Sequence, residues 1–296
     1  MSLSSVDRRF VYLLIFLGTF IPFILPIGLP VNVTPPVRAL YDTIEAMEPG
    51  TRLLVSFDYG PTTAPENAPM AAAVLRHAFS KRLKVVVIAL FPLGGFTMAE
   101  EMLNHVAEEF RDTHAYGVDY VNLGYKDGGQ AAMKQLGEDF AAVFPTDSRG
   151  TPFAEIPFFR GPLETGDMKV SYDDVDLVVS FATGIIGEWW ANLVNAQFGT
   201  PVAVGCTAVS APKYYAFFNS GQMIGLLGGL KGASEYERLL TQGYEADAKI
   251  ASIYSDPTVY TATKGMDAQT IDHSIIIIFI VLGNAAYFMA KKRGGR

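Results

Sequence analysis

The chain has 296 residues, half of them hydrophobic, and a formal net charge of −7. A chain of this length can bury the core of one or two domains, and its acidic balance argues against nucleic acid as a partner. Its single cysteine, Cys206, excludes an internal disulfide, and its four histidines show no metal-ligand spacing. We therefore expect neither a metal site nor a bound cofactor.

The first predicted element is a membrane helix at residues 10–31, a run of 22 residues without a charge. This length suits the roughly 20 residues that a helix needs to cross a bilayer core. A cleaved signal peptide is the alternative, but its apolar region has only about 7–15 residues and a small-residue cleavage site follows it. No such site follows residue 31, so an uncleaved signal anchor is the favoured interpretation.

Between residues 32 and 272, stretches typical of buried strands alternate with stretches typical of helices. The first strand, Leu53–Gly60, ends in the polar tip Asp58-Tyr59-Gly60. Further strands are predicted at Leu83–Phe91, Tyr120–Tyr125, Asp176–Phe181 and Pro201–Cys206. The alternation predicts an α/β domain with a doubly wound, mainly parallel, Rossmann-like sheet of about five strands.

After the fifth strand comes a segment without charge, Tyr214–Leu230, in which glycine recurs every fourth residue. On a helix, Gly221, Gly225 and Gly229 would form a stripe of small residues that lets another backbone approach closely. Three interpretations stay open. The segment is a helix packed on the sheet, a contact with another subunit, or a segment lying on the membrane.

A second membrane helix is predicted directly before the basic run Lys291-Lys292-Arg293. Arg8 and Arg9 precede the first helix, so the positive-inside tendency places both termini in the cytoplasm. The chain then crosses the cell (inner) membrane twice, with its main domain periplasmic or extracellular. The order is cytoplasmic tail, membrane helix, extracytoplasmic α/β domain, membrane helix and cytoplasmic tail, at residues 1–9, 10–31, 32–272, 273–290 and 291–296.

Polar side chains collect at the carboxyl ends of the predicted strands, the edge where ligands bind in doubly wound sheets. The candidate ligand-binding residues are Asp58, Tyr59, Asn122, Ser180, Thr183, Cys206, Thr207 and Ser210. Such residues also cap helices and fill turns, so a purely structural role is the alternative. Cys206 would need a base to act as a nucleophile, and His77 and His105 lie inside predicted helices. No catalytic residue is therefore predicted.

These features favour a non-catalytic structural or interaction subunit of a membrane assembly, anchored in the lipid bilayer. The subunit would be homo-oligomeric or joined to other membrane-protein subunits. Its predicted contacts are the glycine stripe and a small-residue patch of the second span, formed by Gly221, Gly225, Gly229, Gly283 and Ala286. The alternatives are a membrane-tethered domain that binds or senses a small ligand at the strand ends and, less favoured, a hydrolase that uses the same edge.

Overall fold

The computed structural model describes residues 7–25, 27–160, 169–243 and 247–294. Parts of the predicted tails, at 1–6 and 295–296, and one residue of the first predicted span, Pro26, lie outside the described residues. The chain forms two compact units. The smaller unit joins Met1–Pro30 and Pro257–Arg296, and the larger unit is Val31–Asp256.

The larger unit is built on a parallel sheet, which has six strands in the part of the chain that is described. The strands are β1 (Arg52–Asp58), β2 (Lys84–Ala89), β3 (Tyr120–Tyr125), β4 (Leu177–Ala182), β5 (Val202–Cys206) and β6 (Gly225–Gly228). Their order across the sheet is β3-β2-β1-β4-β5-β6, so the direction of winding reverses between β1 and β4. The prediction of a parallel α/β sheet is confirmed, with one strand more than predicted.

Helices cover both faces of this sheet, which explains why the strands are almost continuous runs of buried aliphatic residues. In chain order, the α-helices of both units are α1 (Arg8–Ile24), α2 (Pro35–Glu45), α3 (Ala64–Ser80), α4 (Gly95–Glu109), α5 (Gln130–Leu136), α6 (Phe140–Val143), α7 (Ile186–Trp189), α8 (Ala196–Phe198), α9 (Ala211–Asn219), α10 (Gly229–Gly243), α11 (Ala248–Ile253) and α12 (Thr261–Gly294). A π-helix, Trp190–Asn195, joins α7 to α8. Short 3-10 turns lie at Phe153–Glu155, Tyr172–Asp174 and Pro257–Val259.

The uncharged segment Tyr214–Leu230 is not one helix, so the predicted glycine stripe is wrong. The segment contains most of α9, a turn, β6 and the start of α10. Gly221 lies in the turn, whereas Gly225 packs against α2, where an added Cβ would lie 2.6 Å from Leu40 Cβ. At Gly229 an added Cβ would lie 2.7 Å from Ala208 Cβ. The small size of Gly225 and Gly229 therefore serves packing inside the larger unit.

Three helices of the larger unit are joined through one histidine. His77 of α3 is buried, with Nδ1 2.7 Å from Tyr236 Oη of α10 and Nε2 3.0 Å from Glu45 Oε2 of α2. Because a carboxylate only accepts, Nε2 carries the proton that is donated to Glu45. Burial lowers the pKa of His77. The hydrogen bond from His77 lowers the pKa of Glu45 to about 2.

This cluster predicts that acid lowers the free energy of unfolding in two pH windows. The unfolded chain binds the His77 proton more tightly than the fold does, so stability falls as the pH drops below about 6.5. The contribution of the depressed Glu45 is lost between its ordinary pKa of 4.5 and about 2. Denaturant unfolding of the full chain at a series of pH values measures both steps. His77→Gln should make the upper step smaller but not abolish it, because burial also lowers the pKa of His114. A wild-type stability that stays constant from pH 7 to pH 5 would contradict the account.

In the smaller unit, α1 and α12 pack against each other in antiparallel fashion. Gly18 of α1 lies against Asp272 and Ile275 of α12. Later in the first segment, the backbone N–H groups of residues 27–29 donate to the Asp267 carboxylate over 2.8–3.0 Å. Residues later in the N-terminal segment therefore contact residues earlier in α12, which is the antiparallel arrangement. The two ends that carry Arg8 and Lys291 consequently point the same way along the pair.

Within the described part of the chain, one helical stretch is long and apolar enough to cross a membrane, namely Thr261–Met289 of α12. This finding concerns length and composition alone, and it corresponds to the predicted second span. Helix α1 has 17 residues and ends at Ile24, short of the predicted residue 31. The helix ends because Leu25, which precedes a proline in the sequence, has an extended backbone with φ −125° and ψ 91°.

Candidate functional site

Asp58 ends β1 at the point where the strand order reverses, which is where ligands bind in doubly wound sheets. Its side chain is fully buried. Four groups donate to it: Ser56 Oγ (2.8 Å) and Leu90 N (3.1 Å) to Oδ1, and Ser180 Oγ (2.7 Å) and Trp190 Nε1 (2.7 Å) to Oδ2. A carboxylate offers about four lone-pair positions, so these donors leave none for a ligand.

The charge and hydrogen bonds around Asp58 are typical of a buried carboxyl group that stabilises the fold. Burial raises the pKa of Asp58, and hydrogen bonds from Ser180, Trp190, Ser56 and Leu90 oppose that shift. The serine hydroxyls can rotate, but the backbone N–H of Leu90 and the indole N–H of Trp190 can only donate. These two fixed donors address different oxygens of Asp58, so the surroundings are specific for a carboxyl group.

Trp190, which bonds to Asp58, lies where the helix after β4 changes its winding. Trp190 is the first residue of the π-helix, and its side chain is fully buried beside Tyr172, with ring centroids 6.3 Å apart. π-helical turns are frequent at functional sites. Here the turn supports the bond between the indole and the carboxylate, which ties the helix to β1.

Of the predicted site residues, Asp58 and Ser180 are joined by a side-chain hydrogen bond, and Thr183 contacts Asp58 through its backbone alone. Thr183 is half-buried and donates its backbone N–H to the Asp58 carbonyl oxygen over 2.9 Å. Thr207 and Ser210 lie 3.2 Å apart, Oγ1 to Oγ, in the turn that begins α9. Both therefore fit the structural alternative of turn and cap residues.

Asn122 and Tyr59 are also buried, but neither joins the Asp58 network. Asn122 donates to Glu100 Oε2 over 2.7 Å and accepts from the backbone N–H of Gly124 over 2.9 Å. Tyr59 follows Asp58, so its side chain points to the other face of the sheet. Its Oη is buried and has no hydrogen-bond partner among the described residues.

Cys206 is the predicted site residue with the most direct chemical use, and its surroundings oppose that use. The thiol is buried at the end of β5, and burial raises its pKa to about 12. Because the thiolate is the nucleophilic form, a thiol with this pKa is unreactive near neutral pH. Cys206 therefore fits the interpretation of a small buried core residue.

A groove of about 380 Å³ lies at the opposite, amino-terminal edge of the sheet, where α2 and α3 end. Its polar lining includes Glu45, Lys81 and Asp247. Glu45 is bonded to His77 and to Lys81, and Asp247 accepts the first backbone N–H groups of α11. These charged groups are used within the fold, and none of the predicted site residues lines the groove.

Three large aliphatic side chains are exposed at the carboxyl edge of the sheet, and the sequence did not predict them. Leu93 follows β2, Ile185 follows β4 and Val209 follows β5, with exposures of 74%, 51% and 89%. These strands lie within four adjacent positions of the sheet, so their tips span about 14 Å. We call Leu93, Ile185 and Val209 the apolar rim. The sequence does contain a signal for these exposed residues, because Leu93-Gly94 and Gly184-Ile185 each place an aliphatic residue beside a glycine just after a strand.

The tip of β1 within this edge is closed by the chain itself. The loop after β2 passes so close that a Cβ at Gly95 would lie 2.7 Å from the carbonyl oxygen of Phe57. Gly94, with a φ of 101°, lies against Pro61 in the same way. Backbone therefore occupies the space beside Asp58 on this side of the strand.

Comparisons with known proteins do not assign a function. No family model matches the chain, and no curated protein matches its sequence. Among the described residues, no group of three or more His, Cys, Asp or Glu side chains is arranged to hold a metal ion.

Proposed function

We propose that the protein is a non-catalytic interaction subunit of a membrane assembly and that the apolar rim is its binding face. One observation carries the proposal. The side chains of Asp58 and Ser180 at the strand ends are buried and paired, whereas those of Leu93, Ile185 and Val209 are open to solvent at the same edge. An edge of this kind suits contact with another protein, because grouped exposed apolar side chains mark interaction surfaces.

The free energy gained by burying the apolar rim is large enough to stabilise a protein contact. Fully burying a leucine, isoleucine or valine side chain contributes about 1.5–3 kcal/mol relative to leaving it exposed. Leu93 and Val209 are the most exposed members of the rim and therefore have the most to gain. A few anchors of this size supply much of the binding energy of a protein interface.

Membrane anchoring by two helices belongs to the same proposal. The apolar stretch Thr261–Met289 supports the second span, and the antiparallel packing of α1 beside α12 supports the first. Helix α1 exposes large apolar side chains such as Phe16 and Phe20, and its 17 residues extend about 26 Å. With basic residues at both same-facing ends, this arrangement favours cytoplasmic termini and a main domain outside the cell (inner) membrane.

The proposal is tested by native mass spectrometry and crosslinking of the full chain purified in a mild detergent. The expected result is a particle with a mass above that of one 32.2 kDa chain. A multiple of that mass indicates a homo-oligomer, and an added mass indicates a different subunit. A monomer without a co-purifying partner would overturn the proposal.

A small-ligand-binding domain is the second candidate, and Tyr59 is the observation that favours it. The buried Oη of Tyr59 has no partner within the described residues, and an unpaired buried hydroxyl costs about 1–3 kcal/mol. A bound polar ligand would remove that cost. A thermal-shift screen of the full chain with polar metabolites distinguishes the candidates, because a large shift that Tyr59→Phe abolishes supports ligand binding.

A further inference from the structure

The basic residues at the two ends of the chain lie at one end of the helix pair in the smaller unit. Arg8 and Arg9 begin α1, and Lys291 lies in the last turn of α12. The antiparallel packing brings these positions to the same end of the pair. By sequence, the tails at residues 1–9 and 291–296 hold six basic residues and one acid. This end of the helix pair is therefore strongly positive.

The positive charges described at this end are not neutralised by other described residues. Eight lysine and arginine side chains of the larger unit form ion pairs with Asp or Glu. Arg8, Arg9 and Lys291 are exposed and form no ion pair within the described residues. The Asp7 carboxylate accepts the backbone N–H of Arg9 over 3.0 Å and so caps α1. The charge at this end is therefore free to attract an anion outside the chain.

The register of the two helices gives the relative depth of these charges. Gly18 lies against Asp272, and Arg8 comes ten residues earlier on α1, level with about residue 282 of α12. Lys291 then lies about 14 Å farther along the axis, at about 1.5 Å per residue. Helical side chains are tilted toward the N-terminus of their own helix. In an antiparallel pair this tilt brings the side chains of Arg8 and Lys291 toward each other.

Exposed aromatic side chains lie beside these charges. Tyr12 follows Arg8 by four residues, so both lie on one face of α1. Tyr287 and Phe288 precede Lys291 on α12 and lie between its depth and that of Arg8. Tyr12, Tyr287 and Phe288 are 66%, 62% and 65% exposed. Tyrosine is enriched where a membrane helix passes the lipid headgroups, because its ring is apolar and its hydroxyl is polar.

We propose that this basic end, formed by Arg8, Arg9, Lys291, Tyr12 and Tyr287, is a binding site for the headgroups of anionic phospholipids. Arginine donates two parallel hydrogen bonds to a phosphate, and lysine adds a compact charge. Clusters of about four to eight basic residues beside a membrane helix favour anionic lipids, and the tails fall within that range. The site rests on the membrane anchoring in the proposed function and adds the chemical class of lipid that the anchor selects.

Native mass spectrometry of the full chain in a neutral detergent tests the site, with equal amounts of phosphatidylglycerol and phosphatidylcholine added. With identical acyl chains, both lipids carry one phosphate, but only phosphatidylglycerol has a net negative charge. The wild type should retain mainly phosphatidylglycerol. Arg8→Gln/Arg9→Gln should lower the ratio of bound phosphatidylglycerol to bound phosphatidylcholine by at least about tenfold. An unchanged ratio would overturn the proposal.

Arg8→Lys/Arg9→Lys is the second variant, since it keeps the charges that orient α1 and removes the paired donors. It should lower the ratio by a smaller factor than the glutamine variant, and it decides the question if that variant does not insert. An unchanged ratio in the lysine variant would overturn the arginine site. Lys134→Gln/Lys169→Gln is the matched control, because it removes two exposed charges from the larger unit. A fall in the control as large as that in the Arg8 and Arg9 variants would also overturn the site.

The same spectra separate failure of the lipid site from failure of the proposed function, because a bound lipid adds far less mass than a subunit. A monomer that retains phosphatidylglycerol selectively contradicts the proposed function and supports the lipid site. An oligomer that retains both lipids equally supports the proposed function and overturns the lipid site.

Discussion

Replacing Asp58 by Asn is expected to lower the free energy of unfolding by about 3 kcal/mol. The backbone N–H of Leu90 points at one carboxylate oxygen and the indole N–H of Trp190 points at the other. An asparagine has one oxygen and one NH2 group. Whichever way the amide is turned, its NH2 group faces one of these two fixed donors and leaves it unpaired.

Loss of the charge reduces the free-energy cost of burying this side chain. One fixed N–H donor, from Leu90 or Trp190, nevertheless stays without an acceptor. Ser180→Ala is the graded control, since it removes one rotatable donor and should cost only about 1 kcal/mol. Denaturant unfolding of the full chain in detergent, followed by tryptophan fluorescence, measures both variants. If Asp58→Asn is as stable as the wild type, the sealed carboxylate network does not exist as described. If it folds normally and loses a ligand-induced shift, the ligand-binding alternative gains support.

Replacing Val209 by Glu is expected to weaken association of the full chain by at least about tenfold while leaving its stability unchanged. Val209 is 89% exposed, so the fold does not depend on its side chain. At an interface, the glutamate would remove apolar contact and bring an unpaired charge out of water, which is strongly unfavourable. Leu93→Glu should act in the same direction.

Val118 provides the matched control for these variants. It is an exposed valine, with 43% exposure, but it lies in the turn that leads into β3, at the opposite edge of the sheet. Val118→Glu introduces the same charge and should leave association unchanged. Sedimentation velocity of the three variants in one detergent gives the comparison. Equal association of Val209→Glu and wild type would remove the apolar rim from the account.

The sheet was largely predictable because its strands carry a strong local signal. Val85, Val86, Val87 and Ile88 in β2 form a continuous aliphatic run, as a strand buried on both faces requires. Strand β6 carries no such signal, since it consists of Gly-Leu-Leu-Gly, and both glycines fit a helical spacing as well as a strand. The packing of Gly225 against Leu40 in α2 resolves that ambiguity, and it is a contact between distant parts of the chain.

The position of the candidate site was predictable, but its chemical state was not. A polar residue at the end of the first strand predicts the edge of the sheet, and Asp58 and Ser180 do meet there. The burial of Asp58 depends on Leu90, 32 residues away, and on Trp190, 132 residues away. No spacing rule connects these residues. Trp190 also begins a π-helix, which ordinary helical periodicity does not reveal.

The most direct test of the central claim is an electron cryomicroscopy structure of the intact particle, purified from membranes in mild detergent. We predict protein density from another subunit against the apolar rim of Leu93, Ile185 and Val209, with Asp58 sealed beneath it. A particle in which that edge faces solvent or holds a small molecule, while subunits meet elsewhere, would contradict the account.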